Sequence, residues 1–310
     1  MRRAIWLGAY LCLLFAFQPM ASAESSNRVS VILSESGSVY REVAEGFSTS
    51  LAGKYAVQVD VLDALQDRDI KQKDLAGDLI VPVGVRSMRR VYGLHPNHAS
   101  ILSLMVPREA AASIIENANM TGREAAVYID QPLSRSLSFI RKLLPHVENV
   151  GLVLSDEAQS DIPVYRQEAA RLKIDLVVET VATSLDVSQA LQRLLHRVDV
   201  LLMLPDAKVV NDSTVRLILL TSYRQQIPVV GFSRGLATAG AVAAVVSDPS
   251  SIGHEGAMLV RQWNPSTGAL PPSRPASEFS LVFNNQVARS LGVDIPEDGK
   301  ELLKWRNSLE

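Results

Sequence analysis

Apolar and polar positions along the chain follow two periods that alternate. Residues 29–33 form a short run rich in β-branched side chains, which predicts a buried strand. In the next stretch apolar residues recur at every fourth position, which predicts one face of a helix; they are Val39, Val43, Phe47 and Leu51. The alternation continues along the chain, and it is typical of a parallel sheet with helices on both faces.

The pattern divides the chain into two series of elements and a last group. The first series is expected to hold strands at 57–61, 79–83, 101–106 and 126–129 and helices at 86–92 and 109–118. The second holds helices at 134–144, 164–172, 187–197 and 213–224 and strands at 150–154, 176–181, 200–204 and 229–232. The last group, with strands at 241–246 and 279–283 and helices at 252–263 and 286–291, can join either sheet, and the proline-rich stretch 264–276 is interpreted as a connecting segment. Two similar open sheets in succession predict two α/β domains of about 140 residues each.

The first 23 residues are interpreted as a cleavable signal peptide. Arg2 and Arg3 precede an apolar run of 14 residues, and small residues stand at the positions before Glu24. The run is shorter than the roughly 20 residues that a membrane span needs. The only cysteine, Cys12, lies inside it, so the mature chain is expected to have no thiol chemistry and no lipid anchor. We therefore expect a periplasmic protein that meets the membrane only through a partner.

Charge argues against a nucleic-acid partner. Removal of the signal peptide deletes two of the 31 basic residues and none of the 33 acidic ones, which leaves a net charge of −4. A polyanion is bound mainly through an excess of lysine and arginine, which this chain lacks. The five histidines are scattered, so we expect neither a metal site nor a cofactor.

Candidate ligand-binding residues follow the predicted strands, because ligands of open parallel sheets bind beyond the carboxyl ends of the strands. Serine hydroxyls and helix N-termini suit a carboxylate, whereas an aspartate such as Asp206 suits an ammonium group. Phe232 is well placed to stack on an aromatic ligand. The predicted set comprises Ser36, Ser38, Arg86, Ser87, Asp130, Gln131, Ser155, Asp206, Phe232 and Ser233.

One motif suggests an enzyme. Residues 231–235 match G-x-S-x-G directly after a strand, the position of the nucleophile elbow in α/β-hydrolases. That mechanism needs an acid and then a histidine further along the chain, each on its own loop. The only downstream histidine is His254, six residues after Asp248 and inside a predicted helix. We therefore interpret the motif as a tight turn at the end of the strand and expect no catalysis. A serine hydrolase that uses Ser233 is kept as the weakest alternative.

Several segments resemble the ABC-transporter substrate-binding proteins of the tryptophan/tyrosine-binding type. They are AVYIDQP (126–132) with Arg135, LP (144–145), VG (150–151), LPD (204–206), LLTSY (219–223), IPVVGFS (227–233), AGA (239–241), NQVA (285–288) and LG (291–292). The resemblance covers essentially the whole mature chain. Where transport members carry a Gly-Thr-small-Ala turn after the third strand, this chain has Gly84, Val85, Arg86 and Ser87.

The resemblance implies a type I periplasmic binding protein, an α/β fold of two Rossmann-like lobes with parallel sheets joined by a three-segment hinge. Residues 24–131 with 245–276 would form the first lobe, and 132–244 with 277–310 the second. The implied protein is a monomer that captures an amino acid or a similar small polar ligand between its lobes and delivers it to an ABC permease. A module of the same fold that reports ligand occupancy to a membrane sensor protein is the alternative.

Overall fold

The computed structural model describes residues 27–52, 55–61, 75, 77–94, 99–118, 122–296 and 299–309. The predicted signal peptide lies outside these residues. The strands are β1 (Arg28–Leu33), β2 (Ala56–Val61), β3 (Leu79–Val83), β4 (Ser100–Val106), β5 (Glu124–Tyr128), β6 (Asn149–Ser155), β7 (Asp175–Val181), β8 (Val200–Leu202), β9 (Val229–Gly231), β10 (Ala243–Val246), β11 (Arg274–Pro275) and β12 (Ser280–Phe283). The helices are α1 (Ser38–Leu51), α2 (Val85–Gly93), α3 (Arg108–Ala118), α4 (Leu133–Leu143), α5 (Ile162–Arg171), α6 (Val187–Leu194), α7 (Val215–Arg224), α8 (Arg234–Ala239), α9 (Pro249–Arg261), α10 (Asn285–Ser290) and α11 (Gly299–Asn307).

The strands form two separate sheets. The first has the order β11-β5-β4-β3-β1-β2 and is parallel throughout. The second has the order β12-β10-β9-β8-β6-β7, in which β12 alone of these strands runs antiparallel to its neighbour. We call each sheet with its helices a lobe. The predicted α/β fold with two parallel sheets is confirmed.

Each sheet is buried on both faces, as continuous apolar strands require. In the first lobe Val31 packs with Phe47 of α1 on one face, while Ile32 packs with Met88 of α2 on the other. In the second lobe Leu152 faces the side of α4, and Val153 faces the side of α6. Neighbouring residues of a strand point to opposite faces, so a single strand supplies both cores of its lobe.

Along the described elements the chain crosses between the sheets three times, between β5 and α4, between β10 and α9, and between β11 and β12. Side chains join the crossings to one another. Gln131 donates to the Ser247 hydroxyl, and Arg135 Nη1 donates to Gln131 Oε1 over 2.6 Å. The guanidinium of Arg135 also lies 4.2 Å from the ring centre of Phe279. These contacts build the hinge that the resemblance implies.

The pairing of β10 bears on the division into lobes. We expected the chain to return to the first lobe at residue 245, but Val245 and Val246 pair with β12 of the second sheet. The second crossing therefore follows Val246, because the strand keeps its antiparallel partner to its end. The exact lobe boundaries stay a prediction.

Helix α9 closes the first lobe although it follows a strand of the second. It crosses α1 at two glycines where backbone meets backbone. A Cβ on Gly253 would lie 2.2 Å from the carbonyl oxygen of Val43, and one on Gly46 would lie 2.7 Å from that of Ser250. Only glycine permits the two helices to come this close. The close contact covers the core around Phe47.

Three elements were not predicted. Helix α8 follows the Gly231 strand exit, α11 lies near the end of the chain, and β11 lies in the segment interpreted as a connection. Among the described residues, no helix combines the length and the apolar character that a membrane crossing requires.

Candidate ligand-binding cleft

Described residues of both lobes line two neighbouring cavities. The larger has a volume of about 720 Å³ and runs between α2 and α3 of the first lobe and the loops that follow β6 and β8 of the second. The smaller has a volume of about 360 Å³ and lies against the hinge, between the ends of β5 and β11 and helix α5. Glu109, Pro205 and Asp206 line both cavities, so this trio is the wall between them.

The first-lobe loop after β3 is held by a network of hydroxyls. Gly84 has a φ of +90°, and a Cβ there would lie 2.7 Å from Ser34 Oγ. The turn therefore requires glycine. The Ser87 backbone N–H donates to Ser34 Oγ over 3.0 Å, and the Ser87 hydroxyl donates to the Val83 carbonyl over 2.9 Å. Ser87 is fully buried, so its hydroxyl serves the loop, while the neighbouring Arg86 is exposed.

The loop after β8 in the second lobe is organised by a carboxylate. Asp206 is 5% exposed and accepts hydrogen bonds from the backbone N–H groups of Ser155, Lys208 and Val209 over 2.7, 3.0 and 3.3 Å. Three backbone donors fix the side chain at the bottom of the cleft. The Ser155 hydroxyl beside it is buried and has no hydrogen-bond partner within the described part of the chain.

The remaining predicted residues fall into three groups. Ser36 and Ser38 are exposed around the start of α1. Asp130 and Gln131 line the smaller cavity next to the hinge. Phe232 packs partly buried against the α6 side of the second core, and Ser233 caps helix α8 by accepting from the Leu236 N–H over 3.2 Å.

The geometry around Ser233 is not that of a hydrolase. His254 lies on α9 of the first lobe, where its Nδ1 is 3.1 Å from the Ser50 hydroxyl. Asp248 pairs with Arg234 over 2.7 Å and with Ser280. The acid and the histidine thus have other partners, and the serine hydroxyl has a capping role.

A direct contact joins the lobes at the start of α3. The Arg108 guanidinium donates to Asp161 over 2.6 Å and to the Tyr165 hydroxyl over 2.9 Å, both in the second lobe. Its backbone N–H donates to Asp130 Oδ2 over 2.8 Å. A carboxylate that accepts from the first helical N–H is a favourable cap, so Asp130 fixes both the helix and the root of Arg108.

Several carboxylates line the smaller cavity together with the Arg108 guanidinium. Burial, followed by the charges of Asp206, Asp130 and Asp161, raises the pKa of Glu109 to about 7. Burial raises the pKa of Asp130 to about 6, although the Arg108 backbone N–H opposes the shift. Acidic side chains outnumber basic ones on this wall of the cleft, and no group of ligands able to hold a metal ion occurs among the residues whose positions are described. An ammonium group is the ligand chemistry that such a wall suits.

Glu109, Arg108, Asp161 and Tyr165 were missed in the sequence. The signal that could have found the first two is their position, since they follow Pro107 directly where β4 ends. Asp161 ends a 3-10 turn at Asp156–Asp161 and Tyr165 follows it on α5, so both lie away from the end of β6.

Comparison with solved structures defines the class of fold. The chain shares it with a domain from Streptococcus pneumoniae solved in complex with L-Trp, at a TM-score of 0.62 and 17% identity, over 89% of this chain and 98% of that one. A ligand-free, open substrate-binding protein from Clostridium difficile gives a TM-score of 0.67 at 17% identity, over 88% and 97%. The fold is that of type I periplasmic binding proteins.

The family follows from sequence. The family model described as ABC transporter substrate binding protein matches residues 55–304, and the chain belongs to this family. A tyrosine-binding protein of Clostridioides difficile is 21% identical over 222 residues, which cover 70% of this chain and 63% of that relative's length. The family consists of binding proteins rather than enzymes, so the hydrolase alternative is wrong.

Proposed function

We propose that this protein is the periplasmic solute-binding subunit of an ABC importer and that it captures an amino acid between its lobes. The observation that carries the proposal is the cavity of about 720 Å³ whose walls come from both lobes. Ligand pockets have volumes of roughly 300–1,000 Å³ and commonly lie between domains. Closure of the lobes by hinge motion would bury the ligand.

The charges of the cleft favour a zwitterion. Glu109 of α3 lines the larger cavity and suits an ammonium group. Arg89 of α2 lines the same cavity and can pair with a carboxylate, and the exposed Arg86 lies in the first turn of the same helix. The relatives that bind tyrosine or L-Trp support an amino acid as the ligand. Export through the signal peptide, release as a soluble monomer and delivery to a membrane permease complete the proposal.

A thermal-shift screen tests the ligand class. The mature chain from Glu24 would be heated with each amino acid and with small anions. A true ligand at a hundredfold excess over its Kd stabilises the folded state by about 2.7 kcal/mol. We expect L-tryptophan, L-tyrosine or another amino acid to raise Tm, and no shift with any amino acid would reject the proposal.

Two arginines provide a matched pair of variants. Arg86 is exposed in the first turn of α2, the helix whose Arg89 lines the larger cavity, whereas Arg216 is exposed on α7 of the second lobe, where it lines a separate cavity. We expect Arg86→Ala to reduce the ligand-induced shift without changing the ligand-free Tm, and Arg216→Ala to change neither. Equal effects of the two substitutions would show that Arg86 is not part of the ligand-binding site.

A further inference from the structure

Adjacent residues at the start of α3 face the second lobe with opposite charges. Arg108 contacts Asp161 over 2.6 Å, and Glu109 follows it in the first turn of the helix. Because Asp130 holds the Arg108 backbone N–H, both side chains project from a fixed point of the first lobe. One of them attracts the second lobe and the other repels it.

We propose that Arg108 and Glu109 form a balance that sets how far the lobes close without ligand, and that the balance shifts toward closure as the pH falls. Arg108 draws Asp161 of the second lobe toward the first. Glu109 repels Asp206 of the second lobe.

The ion pair of Arg108 with Asp161 is weak enough to break and re-form. The side chains of Arg108 and Asp161 are 44% and 29% exposed, so water screens their attraction. Tyr165 adds a second acceptor for the same guanidinium nitrogen over 2.9 Å. Since α5 carries Tyr165 and the turn before it carries Asp161, separation of the lobes breaks both contacts together.

The repulsive contact depends on protonation of Glu109. The charged and titratable groups that act on it or line the same two cavities come from both lobes. They are Asp206 and Lys208 after β8, Asp130 after β5, Tyr128 on β5, Arg274 on β11, Asp161 just before α5, Tyr165 and Glu168 on α5, Glu157 after β6, Arg89 and Tyr92 on α2 and Arg108 beside it. Burial contributes most to the pKa of about 7, and Asp206 contributes the largest charge effect. Asp206 and Asp161 belong to the second lobe, so their share of the shift disappears when the lobes part.

The sign of the pH response follows from linkage. A carboxyl group whose pKa is higher in the closed arrangement than in the open one binds a proton more tightly when the lobes are closed. Lowering the pH through about 7 therefore favours closure. The effect is complete once the pH is below the ordinary pKa of a glutamate side chain. Each unit of pKa that closure adds changes the ratio of closed to open molecules about tenfold.

Distance measurement between the lobes tests the balance without ligand. The predicted mature chain has no cysteine, so cysteines introduced as Val39→Cys in the first lobe and Leu185→Cys in the second are unique labelling sites. These residues are 47% and 89% exposed. Pulsed electron paramagnetic resonance of spin labels at both sites would be recorded at about pH 8 and about pH 6.5.

We expect the wild-type background to shift from longer to shorter distances as the pH falls. Glu109→Gln should give the short distances at both pH values, and Arg108→Ala should give the long ones at both. Glu116→Gln, on an exposed position of the same helix, should behave as wild type. Arg108→Ala leaves the helix cap intact, because that cap uses the backbone N–H.

The proposal is overturned if Glu109→Gln keeps the wild-type response to pH, or if Arg108→Ala and Arg108→Lys both leave the distances unchanged. Circular dichroism establishes that the variants are folded. The inference rests on the proposed function only in requiring lobes that move. A chain that binds an amino acid but shows no change of distance with pH would reject the balance and keep the proposed function, and the reverse result would do the opposite.

Discussion

The two lobes fix their cleft-facing loops by different means. In the first lobe the neutral hydroxyls of Ser34 and Ser87 join the end of β1 to the start of α2. In the second lobe the carboxylate of Asp206 accepts three backbone N–H groups. The first lobe therefore keeps its charged side chains, Arg89 and Glu109, available to the cleft, whereas the second uses its main acidic group to hold its own backbone. A polar residue that follows a strand can either stabilise its own loop or contact the ligand. Its hydrogen-bond partners within the protein show which of the two it does.

The largest effect is expected from Asp206→Ala. The substitution leaves three backbone donors without their acceptor at a site that is 5% exposed. Hydrogen bonds to charged groups contribute about 1.5–3 kcal/mol each, and the losses overlap, so we expect the free energy of unfolding to fall by about 3–5 kcal/mol. Urea denaturation measures it. Asp212→Ala, an exposed position that follows in the same loop, should change it by less than about 0.5 kcal/mol, and similar losses in the two variants would contradict the structural role of Asp206.

Ser34→Ala should have a smaller effect on the first lobe. It removes the acceptor of the buried Ser87 N–H, which lies 3.0 Å from Ser34 Oγ. Neutral hydrogen bonds contribute less than charged ones, so we expect a loss of about 1–2 kcal/mol in the free energy of unfolding. Ser36→Ala, exposed in the same loop, provides the control. A loss for Ser34→Ala as large as that of Asp206→Ala would show that the two lobes do not differ in this way.

The smallest effect is expected from Ser233→Ala, which removes the cap of α8. Loss of an N-cap costs about 1 kcal/mol, and Ser233→Asp should restore most of it because aspartate also caps helices. Ligand-induced thermal shifts should survive in both variants. Loss of the ligand shift without loss of stability would instead assign the hydroxyl to the ligand.

Most of the fold could be predicted from periodicity. The strands of both sheets and the helices between them lie within a few residues of the predicted positions, because continuous apolar runs and spacings of four residues are local signals. Helix α8 is short and includes Gly235, so it has no amphipathic pattern. Strand β11 is defined by its pairing with β5, almost 150 residues earlier in the chain, and no local pattern contains that partner.

The cleft was predictable in outline and not in its contacts. Parallel-sheet geometry indicates which loops lie near the ligand, and Asp130, Gln131 and Asp206 do line a cavity between the lobes. Whether a serine hydroxyl or a carboxylate is free to bind ligand depends on hydrogen-bond partners that are distant in sequence. Ser34 and Ser87 are 53 residues apart, and Ser155 and Asp206 are 51 apart. Gln131 was predicted to bind ligand, whereas the structure gives it hinge partners, and its contact with ligand stays a prediction.

The glycine crossing of α1 and α9 has a consequence for the order in which the protein folds. The core around Val43 and Phe47 combines strands of the first sheet with α9, and it stays incomplete until α9 has been synthesised, more than 200 residues after Val43. The first lobe begins the chain and yet is completed after every strand of the second lobe except β12 exists. Domains that are continuous in sequence fold as they emerge, from the N-terminus onward. In this protein the part of the apolar surface around Phe47 that α9 covers stays exposed on the growing chain until the second sheet is nearly complete.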